Sequence, residues 1–255
     1  MSKRIFNFSA GPATLPLHVL EKAQQELLNF QDQGMSIMEM SHRSKIFEAV
    51  LDNAKLGIKD LLSVPDTHDI LFLQGGASLQ FSMVPLNIAQ EGKKVSLINT
   101  GIWSKKALKE IKKQSECDVV ASSEDKNFSY IPTINDNQID QNASFLYMCS
   151  NNTIFGTQFK QFPNTNTVPL VADMSSDILS RKLDVSKFGI IFAGAQKNIG
   201  PAGITIVIIR KDLLDRSPNN LPSMLNYNSF IDSNSLYNTI PTFGIYIISS
   251  VIDWI

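Results

Sequence analysis

The residues best placed to do chemistry stand where short apolar runs of the chain end. Leu71-Phe72-Leu73 leads into Gln74-Gly75-Gly76-Ala77-Ser78, a glycine turn before a helix. Its amides could hold a phosphate, or the glycines could serve plain strand-to-helix geometry. Val95-Ser96-Leu97-Ile98 ends in Asn99-Thr100-Gly101-Ile102-Trp103, where the indole packs in a core or stacks on a flat heterocycle. Pro169-Leu170-Val171-Ala172 ends in Asp173, a carboxylate that is costly there unless it meets a cation or caps the following helix. Ile190-Ile191-Phe192-Ala193 ends in Gly194-Ala195-Gln196-Lys197. A solvated lysine is inert, but one partly desolvated beside other positive groups becomes a nucleophile for aldehydes. Taken together, an amine for an aldehyde, an acid for a pyridinium, a ring to stack and a turn for a phosphate describe a pyridoxal phosphate site.

These four ends need one edge of a sheet. The runs 69–73, 94–98, 143–148, 168–172 and 189–193 are continuous apolar strands separated mostly by helix-length stretches, the pattern of a mainly parallel sheet with helices on both faces. Ligands of such sheets bind beyond the carboxyl ends of the strands, and one strand-crossover-strand unit fits between Asp173 and Lys197. Apolar stripes predict helices over Leu15 to Phe30, Ile46 to Leu62 and Trp103 to Lys113, the last with a lysine-rich solvated face. The β-branched run from Gly203 to Arg210 reads as an antiparallel neighbour strand. Residues Ser122 to Asn142 read as a loop or hairpin, and Asn219 to Ser235 as a surface loop. Thr242 to Ile255 reads as an apolar helix without a polar tail. An exposed face of Tyr246, Ile247, Val251 and Trp254 would make the chain aggregation-prone.

Composition narrows the function further. The 255 residues are 43% hydrophobic and 18% charged, enough apolar content for a core. Twenty-three Lys and Arg against 24 Asp and Glu leave a formal charge of -1, without the cationic field that nucleic acid or an anionic membrane would need. The 2 cysteines, Cys117 and Cys149, make neither a disulfide framework nor a zinc spacing, so no metal is expected and a cytoplasmic setting is. No apolar stretch reaches membrane-spanning length. The glycine turn matches neither nucleotide-binding pattern, which disfavours a nucleotide.

The motifs also carry a resemblance. Asn7-Phe8-Ser9-Ala10-Gly11-Pro12-Ala13, Met38-Glu39-Met40-Ser41-His42-Arg43-Ser44, Gly75-Gly76-Ala77-Ser78-Leu79-Gln80-Phe81, Asp173-Met174-Ser175-Ser176, Ile178-Leu179-Ser180-Arg181, Gly194 to Gly203 and Tyr237-Asn238-Thr239 resemble the phosphoserine aminotransferases, a class V family of PLP-dependent enzymes. The resemblance runs along essentially the whole chain and implies the large domain of the fold type I transferases. It implies Lys197 as the cofactor lysine, Asp173 as partner of the pyridine nitrogen and Trp103 as the stacked ring. Ala77, Ser78, Thr153 and Gln196 would hold the phosphate and ring substituents, and Asn238 and Thr239 the cofactor of a second subunit in a homodimer. Ser9 and Arg43 would bind the substrate carboxylate, with His42 near the substrate phosphate. The implied reaction moves an amino group between glutamate and 3-phosphohydroxypyruvate, as in serine biosynthesis.

Family members continue into a small C-terminal domain, which the sequence up to Ile255 is expected to lack. Residues 1–15 are then an N-terminal arm, 16–240 the PLP-binding large domain and 241–255 the start of a truncated connecting helix. The rival reading is a PLP-binding or dimer-forming remnant with little or no turnover.

Overall fold

A computed structural model describes residues 4–255, so residues 1–3 of the expected arm lie outside the described residues. In chain order the elements are α1 (Leu17–Glu26), α2 (Lys45–Leu62), β1 (His68–Leu73), α3 (Gly76–Ile88), β2 (Val95–Asn99), α4 (Ile102–Ile111) and β3 (Cys117–Ser122). There follow β4 (Leu146–Cys149), β5 (Asn151–Asn152), β6 (Thr157–Gln158), β7 (Leu170–Asp173), β8 (Ile190–Gly194), β9 (Thr205–Arg210), α5 (Tyr227–Asp232) and α6 (Thr242–Trp254).

Seven strands form one sheet in the order β1-β9-β8-β7-β4-β2-β3. Strands β3, β2, β4, β7 and β8 pair in parallel, whereas β9 runs antiparallel to both β8 and β1. The antiparallel neighbour expected from the run to Arg210 is therefore present. Successive side chains of a strand point to opposite faces. Leu146 and Met148 accordingly join the core under α1, α2 and α6, while Phe145 and Tyr147 join the core under α3, α4 and α5. Burial on both faces is why the strands read as unbroken apolar runs.

Four stretches depart from expectation. First, α1 stops at Glu26, because Phe30 starts a short turn in which Gln31 and Asp32 take positive φ of 48° and 59°. Phe30 still reaches the core, where its ring meets Tyr246 edge-on at 5.3 Å. Second, the polar stretch 219–235 contains α5, whose Tyr227 and Phe230 are buried; Tyr227 Oη donates to Gln80 Oε1 at 2.6 Å. Third, a half-exposed edge strand that no expectation covered, β3, runs up to Ser122; the stretch 122–142 beyond it is the expected loop rather than the hairpin.

The fourth departure concerns the last helix. Tyr246, Ile247 and Val251 are 4%, 2% and 3% exposed, so the sticky face expected there is core. It packs on α2 at a close approach, since a Cβ on Gly57 would stand 2.2 Å from Ile252 Cγ2. Only Trp254, 57% exposed, remains outside. No helix among the described residues is long and apolar enough to cross a membrane.

Candidate active site

Strands β7 and β8 are parallel neighbours with Asp173 opposite Phe192, so Asp173 and the turn after Gly194 leave the sheet at one edge. The turn is closed by Ala195 N donating to Ile204 O at 2.9 Å and Gly200 N donating to Ala195 O at 2.9 Å. It carries Gln196 and Lys197. Lys197 Nζ donates to Thr153 Oγ1 at 2.6 Å and lies 5.2 Å from the Trp103 ring centroid. Thr153 sits at the tip of the small β5–β6 hairpin, and Trp103 in the first turn of α4. The four groups picked from strand ends thus converge on one cleft, lined by Ala77, Ser78, Trp103, Asp173, Gln196 and Lys197.

Asp173 is 4% exposed. No helix follows it, which removes the helix-cap reading; the residues after it form turns. Its Oδ1 accepts from Ser175 N at 3.0 Å and Ser175 Oγ at 2.7 Å, while Oδ2 accepts nothing among the described residues. Burial pushes this carboxyl above the usual carboxylate range, against the opposing pull of the Ser175 donors and the Lys197 ammonium. A buried acid in that state gains from a cationic partner. Trp103 Nε1 is likewise buried without a partner. At the opposite wall α3 begins on Gly75 and Gly76, with φ of 87° and 64°, and no side chain caps its first amides. An aromatic aldehyde bearing a basic ring nitrogen and a phosphate fits this donor set.

Other implied residues stand apart. Ala13 N donates to Gln196 O at 2.8 Å and Gly11 packs on Lys197, where a Cβ would come 2.7 Å from its Cγ, so the arm docks beside the lysine. Ser9, farther up the arm, is exposed and its amide bonds to Asn7 Oδ1 at 2.9 Å. Arg43 is exposed, and His42 Nε2 is buried without a partner; neither lines the cleft. Asn238 Nδ2 donates to Gln74 Oε1 at 2.9 Å, just before the glycine turn, and its Oδ1 is buried without a partner. Thr239 is exposed beside it.

Gly76 of the glycine turn lines the cleft as well, together with residues that the sequence did not single out for it: Cys149, Asn151, Ser175 and Ser176. Cys149 reads in sequence as one more apolar strand residue, and burial indeed pushes its thiol well up. Ser175 is visible only as the second residue after Asp173. There it serves as hinge, accepting from Gly194 N at 3.0 Å while donating to Asp173.

The family profile described as Aminotransferase class-V matches residues 5–255. The phosphoserine aminotransferase of Geobacillus kaustophilus is 62% identical over 253 residues, covering 99% of this chain and 70% of that protein. The chain belongs to the phosphoserine aminotransferase family of class-V aminotransferases. The solved phosphoserine aminotransferase of Bacillus circulans subsp. alkalophilus superposes with a TM-score of 0.96 at 50% identity, covering 99% of this chain and 70% of that one. The PLP-bound phosphoserine aminotransferase of Trichomonas vaginalis does so at 0.92 and 42%, covering 98% and 75%. The fold is that of the PLP-dependent aminotransferases, the cofactor is pyridoxal phosphate and the reaction class is transamination in serine biosynthesis.

Proposed function

We propose that this chain moves an amino group between L-glutamate and 3-phosphohydroxypyruvate, yielding O-phospho-L-serine and 2-oxoglutarate, with Lys197 as the amine that bonds the cofactor and then carries the proton at the substrate Cα. The observation that carries the assignment is the meeting of Lys197 Nζ, Thr153 Oγ1 and the Trp103 ring over a cleft that holds the buried Asp173. Bound there, pyridoxal phosphate supplies an electron sink for the substrate carbanion. Asp173, whose burial raises its proton affinity, pairs with the protonated ring nitrogen. Trp103 stacks on the ring, and the uncapped start of α3, with Ala77 and Ser78, receives the phosphate. Thr153 orients the lysine amine, and Gln196 holds a ring substituent.

For the substrate, the guanidinium fork of Arg43 and the hydroxyl of Ser9 take the carboxylate, and His42 takes the phosphate end. Arg43 has no hydrogen-bond or ion-pair partner for its side chain among the described residues, which suits that task. Asn238 and Thr239 serve the cofactor of a second copy in a two-fold cytoplasmic homodimer. The arm's Ile5, Phe6 and Phe8, exposed by 85%, 86% and 92%, support that partner. Residues 16–240 then form the cofactor domain, with 1–15 as the arm and 241–255 as a connecting helix.

Reduction of the PLP-loaded chain with borohydride followed by peptide mapping should place the pyridoxyl group on Lys197. Recovery on Lys106, which also lies over the Trp103 ring at 4.7 Å, would overturn the assignment.

A further inference from the structure

Behind the cleft lies a second buried carboxylate that none of these roles uses. Asp177, 6% exposed, stands on the turn that follows β7. Its Oδ1 accepts from Ser150 Oγ at 2.5 Å, at the end of β4, and its Oδ2 accepts from Gln158 Nε2 at 3.2 Å, on β6. Arg181 Nη2 stands 3.9 Å away. A carboxylate taken out of water is costly unless both oxygens are satisfied and a countercharge is near, and all three conditions hold here.

What this hub ties together is specific. Ser150 begins the β5–β6 hairpin and Gln158 ends it, so the bonds to Asp177 fasten both feet of the hairpin to one turn. Ser150 N also donates to Asp173 O at 3.0 Å, and Phe159 N donates to Ser150 O at 2.9 Å. Arg181 Nη2 donates to Phe159 O at 2.5 Å, and Ser176 Oγ to Asn151 O at 2.9 Å. The tip held by these feet carries Thr153, the acceptor of the Lys197 ammonium. Ser150 bonded to both Asp173 and Asp177 makes the hairpin and the acid end of β7 one unit.

We propose that Asp177 is a positioning residue for the cofactor lysine: by fastening both feet of the β5–β6 hairpin it fixes Thr153 Oγ1, and through it the Lys197 amine. The inference rests on the reading of Lys197 and Thr153 as cofactor-binding. Asp177 touches neither cofactor nor substrate in this role, and the route assigned to its effect is through Thr153. That makes it separable from a general contribution to stability.

The test is equilibrium dialysis of pyridoxal phosphate against the full chain and its variants, with far-UV circular dichroism of the cofactor-free forms as the folding control. Thr153→Val should weaken binding about tenfold, the worth of one charge-assisted hydrogen bond. Asp177→Ala should weaken it comparably, and the double variant no more than the worse single one, because both remove the same constraint. Asp177→Asn, which still accepts from Ser150, should recover most of the affinity. Independent effects multiplying to about 100-fold would overturn the inference while leaving the Thr153 role standing, as would unchanged binding by Asp177→Ala. Unchanged binding by Thr153→Val would instead overturn the cofactor role of Thr153 and the inference with it. If Asp177→Ala does not fold, Ser150→Ala, which deletes only one of the hub's bonds, takes its place under the same criteria.

Discussion

Gly200 offers the sharpest check on how the last helix supports the site. A Cβ built on Gly200 would stand 2.5 Å from Ile248 Cγ1 and 3.7 Å from Ile248 Cα. Ordinary carbon contacts fall near 3.5–4.0 Å, so the overlap is about 1 Å against a side chain that is 0% exposed and has nowhere to swing. Gly200 is therefore required for space. Overpacking of this kind costs about 2–3 kcal/mol, and Ile248→Ala, which empties the opposing volume, costs about 3 kcal/mol. Were the two independent, the double variant would lose about 5–6 kcal/mol. Because the alanine methyl at 200 enters the space vacated at 248, the double should lose only about 3–4 kcal/mol, a coupling near 2 kcal/mol. In thermal unfolding followed by circular dichroism, that coupling separates the double variant from the additive expectation by roughly 4–8 °C for a chain of this size. Gly200 closes the turn that carries Lys197 by donating to Ala195 O, so Gly200→Ala should also weaken pyridoxal phosphate binding and the double should restore part of it. A double variant within about 0.5 kcal/mol of the sum would refute the steric account of Gly200.

Further expectations follow from buried charge and exposed surface. Burial raises the Asp173 carboxyl in the folded chain, so the fold favours the protonated form; that stability is present below the unfolded value, near about 4, and is lost as pH rises through the folded one. Asp173→Asn in the cofactor-free chain should consequently raise the melting temperature at pH 8, with the gain shrinking as the pH approaches 4; a gain that grows on acidification would contradict it. With cofactor bound, the same variant should transaminate far more slowly, since a neutral ring nitrogen accepts electrons poorly. For the homodimer, light scattering should give the mass of two chains; one chain with stoichiometric cofactor would refute the shared role of Asn238 and Thr239.

The chemistry was legible where it coincides with an element boundary. Parallel strands buried on both faces spell continuous apolar runs, so the few residues just past each run are conspicuous, and Asp173, Trp103 and Lys197 could be picked out among them without any relative. Thr153 could not, because it belongs to a hairpin whose strands are two residues each, too short for a periodicity of any kind. Its place in the site came from the family resemblance alone. The stretch 219–235 shows a related failure: its polar composition concealed α5, although Tyr227 and Phe230, fully buried, are what hold it down. Tertiary contact overrides local composition there.

The last helix shows the converse error and why it matters for the site. An apolar segment ending on Trp254-Ile255 reads as a face awaiting cover, yet the cover lies about 200 positions earlier in the chain, on α2, where Gly57 admits Ile252. A glycine in mid-helix carries no period and no charge, so nothing local announces such a contact. The same holds for Ser150, Gln158 and Asp177, each an ordinary polar residue in its own segment. Residues that react stand at ends that one dimension can mark, whereas residues that hold them in place are defined by which segments meet. A support such as Asp177 is thus visible only once β4, β6 and the turn after β7 have been brought side by side, and variants of it test the assembled geometry in a way that variants of Lys197 cannot.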